Sequence, residues 1–102
     1  MKTTVLIFAL LSSLSMTVSA STDWPPETLT YRPSELPGYA LVRQHCLTCH
    51  SAHYVTYQPR SPRTYWDATV KKMKYTFGAP LDDKDIPAMV DYLTQTYGSP
   101  SR

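Results

Sequence analysis

Two cysteines and a histidine in one short motif constrain this chain more than any other feature. The motif reads Cys46-Leu47-Thr48-Cys49-His50, and the 102-residue chain has no other cysteine. Two thiols one helical turn apart can each add to a vinyl group of a haem, and the histidine that follows can supply a nitrogen ligand to the iron. The motif therefore predicts one covalently attached haem c, with Cys46 and Cys49 as the thioether residues and His50 as an axial iron ligand.

Three other uses of the two thiols are less consistent with the sequence. A thioredoxin-like redox pair sits in a βαβ setting, and this chain has no alternating strand pattern. A zinc site would need a fourth ligand from His45 or His53, which would crowd all of its ligands into one short loop. A structural disulfide would account for the cysteines but not for His50. We therefore favour haem attachment.

The first twenty residues have the pattern of an export signal. Lys2 precedes an apolar run over residues 5–11, and residues 18–20 offer the small side chains that signal peptidase recognises. A membrane-spanning helix needs about 20 apolar residues, so this run is short for one, and an uncleaved membrane anchor is the alternative. We predict that residues 1–20 are a signal peptide cleaved near Ala20, and that the mature protein is periplasmic with no membrane span.

The mature chain would have 82 residues, which is too few for a Rossmann domain or a TIM barrel. The full chain has ten basic and eight acidic residues and a net charge of only +2, without the basic clustering that nucleic-acid binding needs. A domain this small buries a modest core and usually needs a metal, disulfides or a cofactor for stability. A covalent haem would supply that missing apolar volume.

Proline spacing divides the mature chain into an arm and a domain. Four prolines disfavour helix over residues 21–37, namely Pro25, Pro26, Pro33 and Pro37. We predict an extended N-terminal arm there, and its interspersed apolar residues indicate that it lies against a surface, either of its own domain or of a partner. Residues 38–102 are predicted to form the domain itself.

Helical periodicity dominates residues 38–102 and predicts an all-α domain of three or four short helices. The first helix is expected to follow Pro37-Gly38 and to end near Cys49. A loop is expected over residues 51–63, where two prolines interrupt the chain. The remaining helices are expected in the second half of the domain.

Capping signals predict the limits of the two remaining helices. Residues 64–67 read Thr-Tyr-Trp-Asp and are expected to form a capping box at the start of one helix, which residues 78–80, Gly-Ala-Pro, bring to an end. Asp85 is the predicted N-cap of the last helix, because Pro87 lacks an N–H and fits only in a first turn. Gly98 is predicted to close that helix.

The second axial ligand is predicted to be a methionine. His45 and His53 are too close to His50 in sequence to reach the opposite face of a haem easily, so both are expected at the surface. Met73 lies near the end of an amphipathic helix, whereas Met89 lies on a stripe of core residues. We predict Met73 as the ligand, with Met89 or an open site as alternatives. Ligands on both faces would leave only outer-sphere transfer of single electrons.

These features together resemble a class I cytochrome c. Gly38 lies eight residues before Cys46, and residues 91–93 resemble the C-terminal helix segment of that family. The resemblance implies a small monohaem class I cytochrome c fold, in which an aromatic residue of that segment crosses the glycine. Gly38 would then pack against Tyr92, because only a glycine permits so close an approach.

The same resemblance implies partners for the haem and for its histidine. The carbonyl group of Pro59 or Pro62 would accept a hydrogen bond from His50. Arg60 and Arg63 would hold a haem propionate or face a partner protein, with solvated loop charges as the alternative. Three tyrosines would line the haem crevice or be half-buried aromatic residues elsewhere, namely Tyr54, Tyr57 and Tyr75.

A closer resemblance is to the small cytochrome subunit of bacterial sulfite dehydrogenase. The similarity runs from about Leu36 to Tyr97 and is carried by residues 46–54, 58–59, 65–68, 70–73 and 78–80. It implies that Met73 ligates the iron and that the arm lies along a molybdopterin-containing, sulfite-oxidising subunit. Electrons would pass one at a time to a soluble cytochrome c. A freestanding, diffusible cytochrome and an enzyme or sensor with an open iron site are the alternatives.

Overall fold

The computed structural model describes residues 28–100, and over these residues the chain is helical with no β-strand. Its elements are four α-helices and one 3-10 turn: α1 Pro37–Cys46, α2 His53–Thr56, α3 Arg63–Tyr75, the 3-10 turn Asp83–Asp85 and α4 Ile86–Tyr97. The prediction of an all-α domain with three or four short helices is confirmed. None of the helices in this part of the chain is both long and apolar enough to cross a membrane. The predicted signal peptide lies outside the described residues.

The helices α1 and α4 cross at Gly38, where their backbones come into contact. A side-chain Cβ on Gly38 would collide with the carbonyl oxygen of Ala88 and lie 2.6 Å from its carbonyl carbon and 2.9 Å from the Cβ of Tyr92. Only glycine lets two helices approach this closely, because it has no Cβ. The predicted packing of Gly38 against Tyr92 is thereby confirmed.

Prolines and backbone geometry, rather than capping side chains, begin the helices. Pro37 occupies the first turn of α1, where its missing N–H costs nothing. Pro62 has an extended backbone and precedes α3, so Thr64 already lies inside the first turn. The predicted capping box over residues 64–67 is therefore wrong. Asp85 does occupy the N-cap of α4, as predicted, although its side chain makes no capping hydrogen bond.

The loop after α1 differs from its prediction at both ends. The helix ends at Cys46 and not near Cys49, so the second cysteine lies in a turn. The predicted loop over residues 51–63 contains the single-turn helix α2. A helix of four residues is too short to give a periodic signal in sequence, which explains why it was not predicted.

The core includes one residue of the N-terminal arm. Tyr31 is fully buried among residues of the helical domain. Its ring meets that of Tyr97 edge-on at 6.5 Å, and the backbone N–H of Arg32 donates to the Tyr97 hydroxyl at 2.8 Å. The Tyr92 hydroxyl in turn donates to the carbonyl oxygen of Arg32 at 2.7 Å. Residues 28–36, the described part of the arm, therefore lie against their own domain.

Candidate functional site

A cavity of about 690 Å³ lies between the end of α1, α2, α3, the segment that follows α3, and α4. Its volume falls within the range of about 300–1,000 Å³ that is typical of small-molecule and cofactor sites. Four residues that the sequence marked for haem attachment and ligation all line it, namely Cys46, Cys49, His50 and Met73. Residues that are close in sequence and one that is distant are thus brought to the same space.

The end of α1 positions the two cysteines. Cys46 is the last residue of the helix, and the turn that follows is fixed by a hydrogen bond from the Thr48 hydroxyl to the carbonyl oxygen of Gln44, at 3.1 Å. Cys46 is half-buried, Cys49 is exposed, and both thiols are free. Burial raises the pKa of the Cys46 thiol to about 11, so this thiol is protonated at neutral pH.

His50 is half-buried and held in one orientation. Its Nδ1 lies 3.0 Å from the carbonyl oxygen of Ser51. A carbonyl oxygen only accepts, so Nδ1 carries the proton in neutral His50 and Nε2 keeps a lone pair that can bind a metal. The implied proline partner is wrong for this structure: the carbonyl of Pro59 accepts from the Ser61 hydroxyl, and that of Pro62 accepts N–H groups at the start of α3.

Both methionines of the described chain reach the cavity. Met73 is half-buried near the C-terminal end of α3, and its carbonyl oxygen accepts a hydrogen bond from the N–H of Ala79 at 2.9 Å. Met89 is fully buried in α4 and belongs to the hydrophobic core. Either thioether therefore borders the space, and Met73 is the one whose side chain is not already enclosed by the core.

The segment between α3 and the 3-10 turn forms one wall that the sequence analysis did not include. Phe77, Ala79 and Leu81 all line the cavity. Gly78 makes the turn possible, because its backbone has φ of +73°, in the left-handed region that other residues rarely adopt. The alternating apolar residues on either side of this glycine are the sequence feature that could have predicted this wall.

The arginines near the site are occupied elsewhere. The Arg60 Nε donates to the carbonyl oxygen of Gly98 at 3.0 Å, and Arg63 forms an ion pair with Asp91. Neither arginine lines the cavity in this structure, and a role for either toward a propionate or a partner stays a prediction. Lys72 is the only lysine or arginine among the described residues that line it.

Largely exposed aromatic side chains form part of the cavity lining. Tyr54 and Phe77 both line it while remaining 67% and 65% exposed, respectively. The ring of Tyr54 lies 4.7 Å from that of His50. Tyr57 and Tyr75 do not line the cavity, so of the three tyrosines only Tyr54 takes the expected place.

The neighbouring histidines differ from each other in position. His53 is exposed, as expected, and stacks on the ring of Tyr57 at 4.7 Å. His45 is half-buried and lines the cavity, contrary to the expected surface position, because it lies on the last turn of α1 beside Cys46. Within residues 28–100, no group of three or more His, Cys, Asp or Glu side chains is arranged to hold a metal ion.

The residues that line the cavity fit a covalently bound haem. A haem iron needs only two protein ligands, since the porphyrin supplies four nitrogens. Two thiols on one wall, a histidine with a free Nε2 and a methionine thioether match that requirement.

Comparison of the chain with known protein families and with characterised proteins found no match.

Proposed function

We propose that this protein is a monohaem c-type cytochrome that transfers single electrons. The observation that carries the proposal is that Cys46, Cys49, His50 and Met73 border one cavity of about 690 Å³. The first three belong to one short motif, but Met73 comes from a separate helix and lines the same cavity.

Each of these side chains has a defined task in the proposal. Cys46 and Cys49 would anchor the porphyrin, and His50 would bind the iron through Nε2 while Ser51 holds Nδ1. Met73 would supply the other protein ligand. A haem held in this way would supply a reversible one-electron change at its iron, and two protein ligands would leave no position on the iron for a substrate.

The surrounding residues keep the site apolar. Trp66, Val70 and Leu93 are buried and line the cavity, which excludes water from its inner part. The Trp66 indole N–H donates to the carbonyl oxygen of Ser61 at 3.2 Å, so its ring is fixed and its one polar group is satisfied. Around a haem bound here, an apolar environment and a methionine ligand would both favour the reduced, less charged iron and would raise the reduction potential.

The sequence resemblance supports a finer proposal about partners. The protein would be the periplasmic haem subunit of a molybdenum sulfite dehydrogenase and would pass electrons to a soluble cytochrome c. One structural observation favours the alternative of a freestanding, diffusible carrier. Residues 28–36 pack on their own domain, so less of the arm remains to contact a partner.

Haem attachment is tested by producing the full chain in a host with working haem-attachment machinery. We expect a red protein whose haem stays with the polypeptide after denaturation and solvent extraction, because thioether bonds survive both treatments. Cys46→Ala and Cys49→Ala should each retain haem through a single thioether. A colourless product, or a product that contains zinc in place of iron, would refute the proposal.

The choice of methionine is tested with two matched variants, Met73→Leu and Met89→Leu. Leucine keeps a similar volume but cannot bind iron, so packing is disturbed little in either case. We expect the sulfur–iron absorption band of the oxidised protein to disappear in Met73→Leu and to persist in Met89→Leu. The opposite result would transfer the ligand role to Met89.

The partner is tested by gentle purification of the tagged, exported protein. Recovery of a molybdenum subunit, and reduction of the haem on addition of sulfite, would support the dehydrogenase subunit. Recovery of a lone monomer would favour the diffusible carrier. Deletion of residues 21–27 tests the arm without removing Tyr31 from the core, and loss of the partner in this variant would assign the contact to the arm.

A further inference from the structure

The segment that follows Met73 is held at both of its ends. Residues 76–82 leave the end of α3, turn at Gly78 and return to the 3-10 turn. Phe77, Ala79 and Leu81 from this segment line the cavity. The N–H of Ala79 also donates to the carbonyl oxygen of Met73 at 2.9 Å, so the turn folds back onto the residue proposed as iron ligand.

Two side chains that directly follow Met73 converge on one carboxylate oxygen. The Lys74 ammonium donates to Oδ1 of Asp83 at 2.6 Å, and the Tyr75 hydroxyl donates to the same atom at 2.5 Å. Asp83 begins the 3-10 turn on the far side of the segment. The carboxylate therefore ties the last turn of α3 to the start of the next element and closes the segment between them.

The charges around this contact support a persistent interaction. The hydrogen bonds from Lys74 and Tyr75 hold the pKa of Asp83 below its usual value, so the carboxylate stays charged at neutral pH. The contact lies at the protein surface, where ion pairs contribute little to global stability. Its effect is therefore expected to be local, on the segment that it closes.

We infer that Asp83 is a positioning residue for Met73. Its carboxylate holds residues 74–83 closed and thereby keeps the Met73 thioether at the cavity, an inference that rests on the proposed haem function. An external ligand such as imidazole can bind the iron only after Met73 has moved away. Loosening the segment therefore makes that departure faster without unfolding the domain.

The test measures the rate of imidazole binding to the oxidised haem protein in Asp83→Ala and Asp82→Ala. Asp82 is the matched control, because it is the neighbouring exposed carboxylate and forms an ion pair with Lys84, at 3.7 Å, in place of the hydrogen bonds that Asp83 accepts. We expect imidazole to bind about three- to tenfold faster in Asp83→Ala, the range for losing two exposed contacts. Asp82→Ala should bind at the wild-type rate. Thermal unfolding temperatures should be equal in all three proteins.

A second variant, Tyr75→Phe, removes one of the two hydrogen bonds and leaves every charge in place. We expect an intermediate rate, and this prediction stands even if Asp83→Ala fails to mature. Equal rates in wild type, Asp83→Ala and Tyr75→Phe would overturn the inference, as would equal acceleration in Asp82→Ala. A wild-type protein without covalent haem would instead overturn the proposed function, so the two failures are distinguishable.

Discussion

The contact between α1 and α4 predicts a large cost for adding one methyl group at Gly38. In Gly38→Ala the new Cβ would collide with the backbone carbonyl of Ala88 and lie 2.6 Å from its carbon atom. A relaxed contact needs about 1 Å more, and a backbone group cannot rotate aside as a side chain can. The two helices would have to move apart along their whole contact.

The expected loss in free energy of unfolding follows from this geometry. Overpacking of a core typically costs about 1–3 kcal/mol, and a collision with backbone lies at the upper end, so we expect about 3 kcal/mol. For a domain of this size each kilocalorie lowers the midpoint of thermal unfolding by about 4–8 °C, which gives a fall of about 12–24 °C. Circular dichroism of the haem-loaded protein measures it.

Gly78→Ala is the matched control for this measurement. A Cβ at Gly78 meets nothing within 4 Å, but the backbone there has φ of +73°. Its cost is therefore conformational only, about 1–2 kcal/mol. Replacing Ala88 by glycine as well should not rescue Gly38→Ala, because the obstacle is the carbonyl and not the Ala88 side chain. A Gly38→Ala variant as stable as Gly78→Ala would refute the close approach of the helices.

Three further outcomes follow from single contacts. Tyr31→Phe should raise the free energy of unfolding by up to about 1 kcal/mol, because the buried hydroxyl has no hydrogen-bond partner of normal geometry. Tyr31→Ala should lower the free energy of unfolding by about 3–5 kcal/mol, because it removes a fully buried ring. Denaturant titration measures both changes. Arg63→Ala should change it by less than about 1 kcal/mol in the same assay, since the ion pair with Asp91 is half exposed. The contact that Asp83 makes with Lys74 and Tyr75 needs an ionised carboxylate. It is fully formed when the pH is above 3.8, the usual pKa of this carboxyl group, and it is lost as the pH falls through the lowered pKa in the folded protein. The temperature at which the sulfur–iron band disappears on heating should therefore differ between Asp83→Ala and wild type at pH 7, and this difference should shrink as the pH falls below 3.8.

Most of the predictions that held rest on local chemistry. The all-α architecture follows from helical periodicity, and the Asp85 N-cap and the Gly98 C-cap lie where proline and glycine place them. The contact of Gly38 with Tyr92 was implied by the family resemblance, and the missing Cβ is its physical reason. The grouping of both cysteines and His50 at one wall follows from their adjacency in the chain.

The partners of the two arginines lie far away in sequence and were not predicted. Arg60 bonds to Gly98, 38 residues away, and Arg63 pairs with Asp91, 28 residues away. No local pattern encodes such pairs, because they are fixed only when α3 meets α4. The arm shows the same limit: its prolines predict an extended backbone, but they do not say which surface Tyr31 enters.

Sequence pattern alone cannot decide between Met73 and Met89 as the proposed iron ligand. Met73 and Met89 both lie on apolar helical faces, and both line the cavity. Helical periodicity places an iron ligand and a core residue at the same kinds of position, so it cannot separate them. Burial separates them in the structure, since Met89 is fully enclosed and Met73 is not.

The pairing of α1 with α4 also constrains when the polypeptide can fold. Residues 47–85 lie between the two helices, so Gly38 cannot make its contact with α4 until Ala88 and Tyr92 have been delivered. In a polypeptide that emerges N-terminus first, from a ribosome or a secretion channel, both cysteines therefore emerge before α1 and α4 can pair.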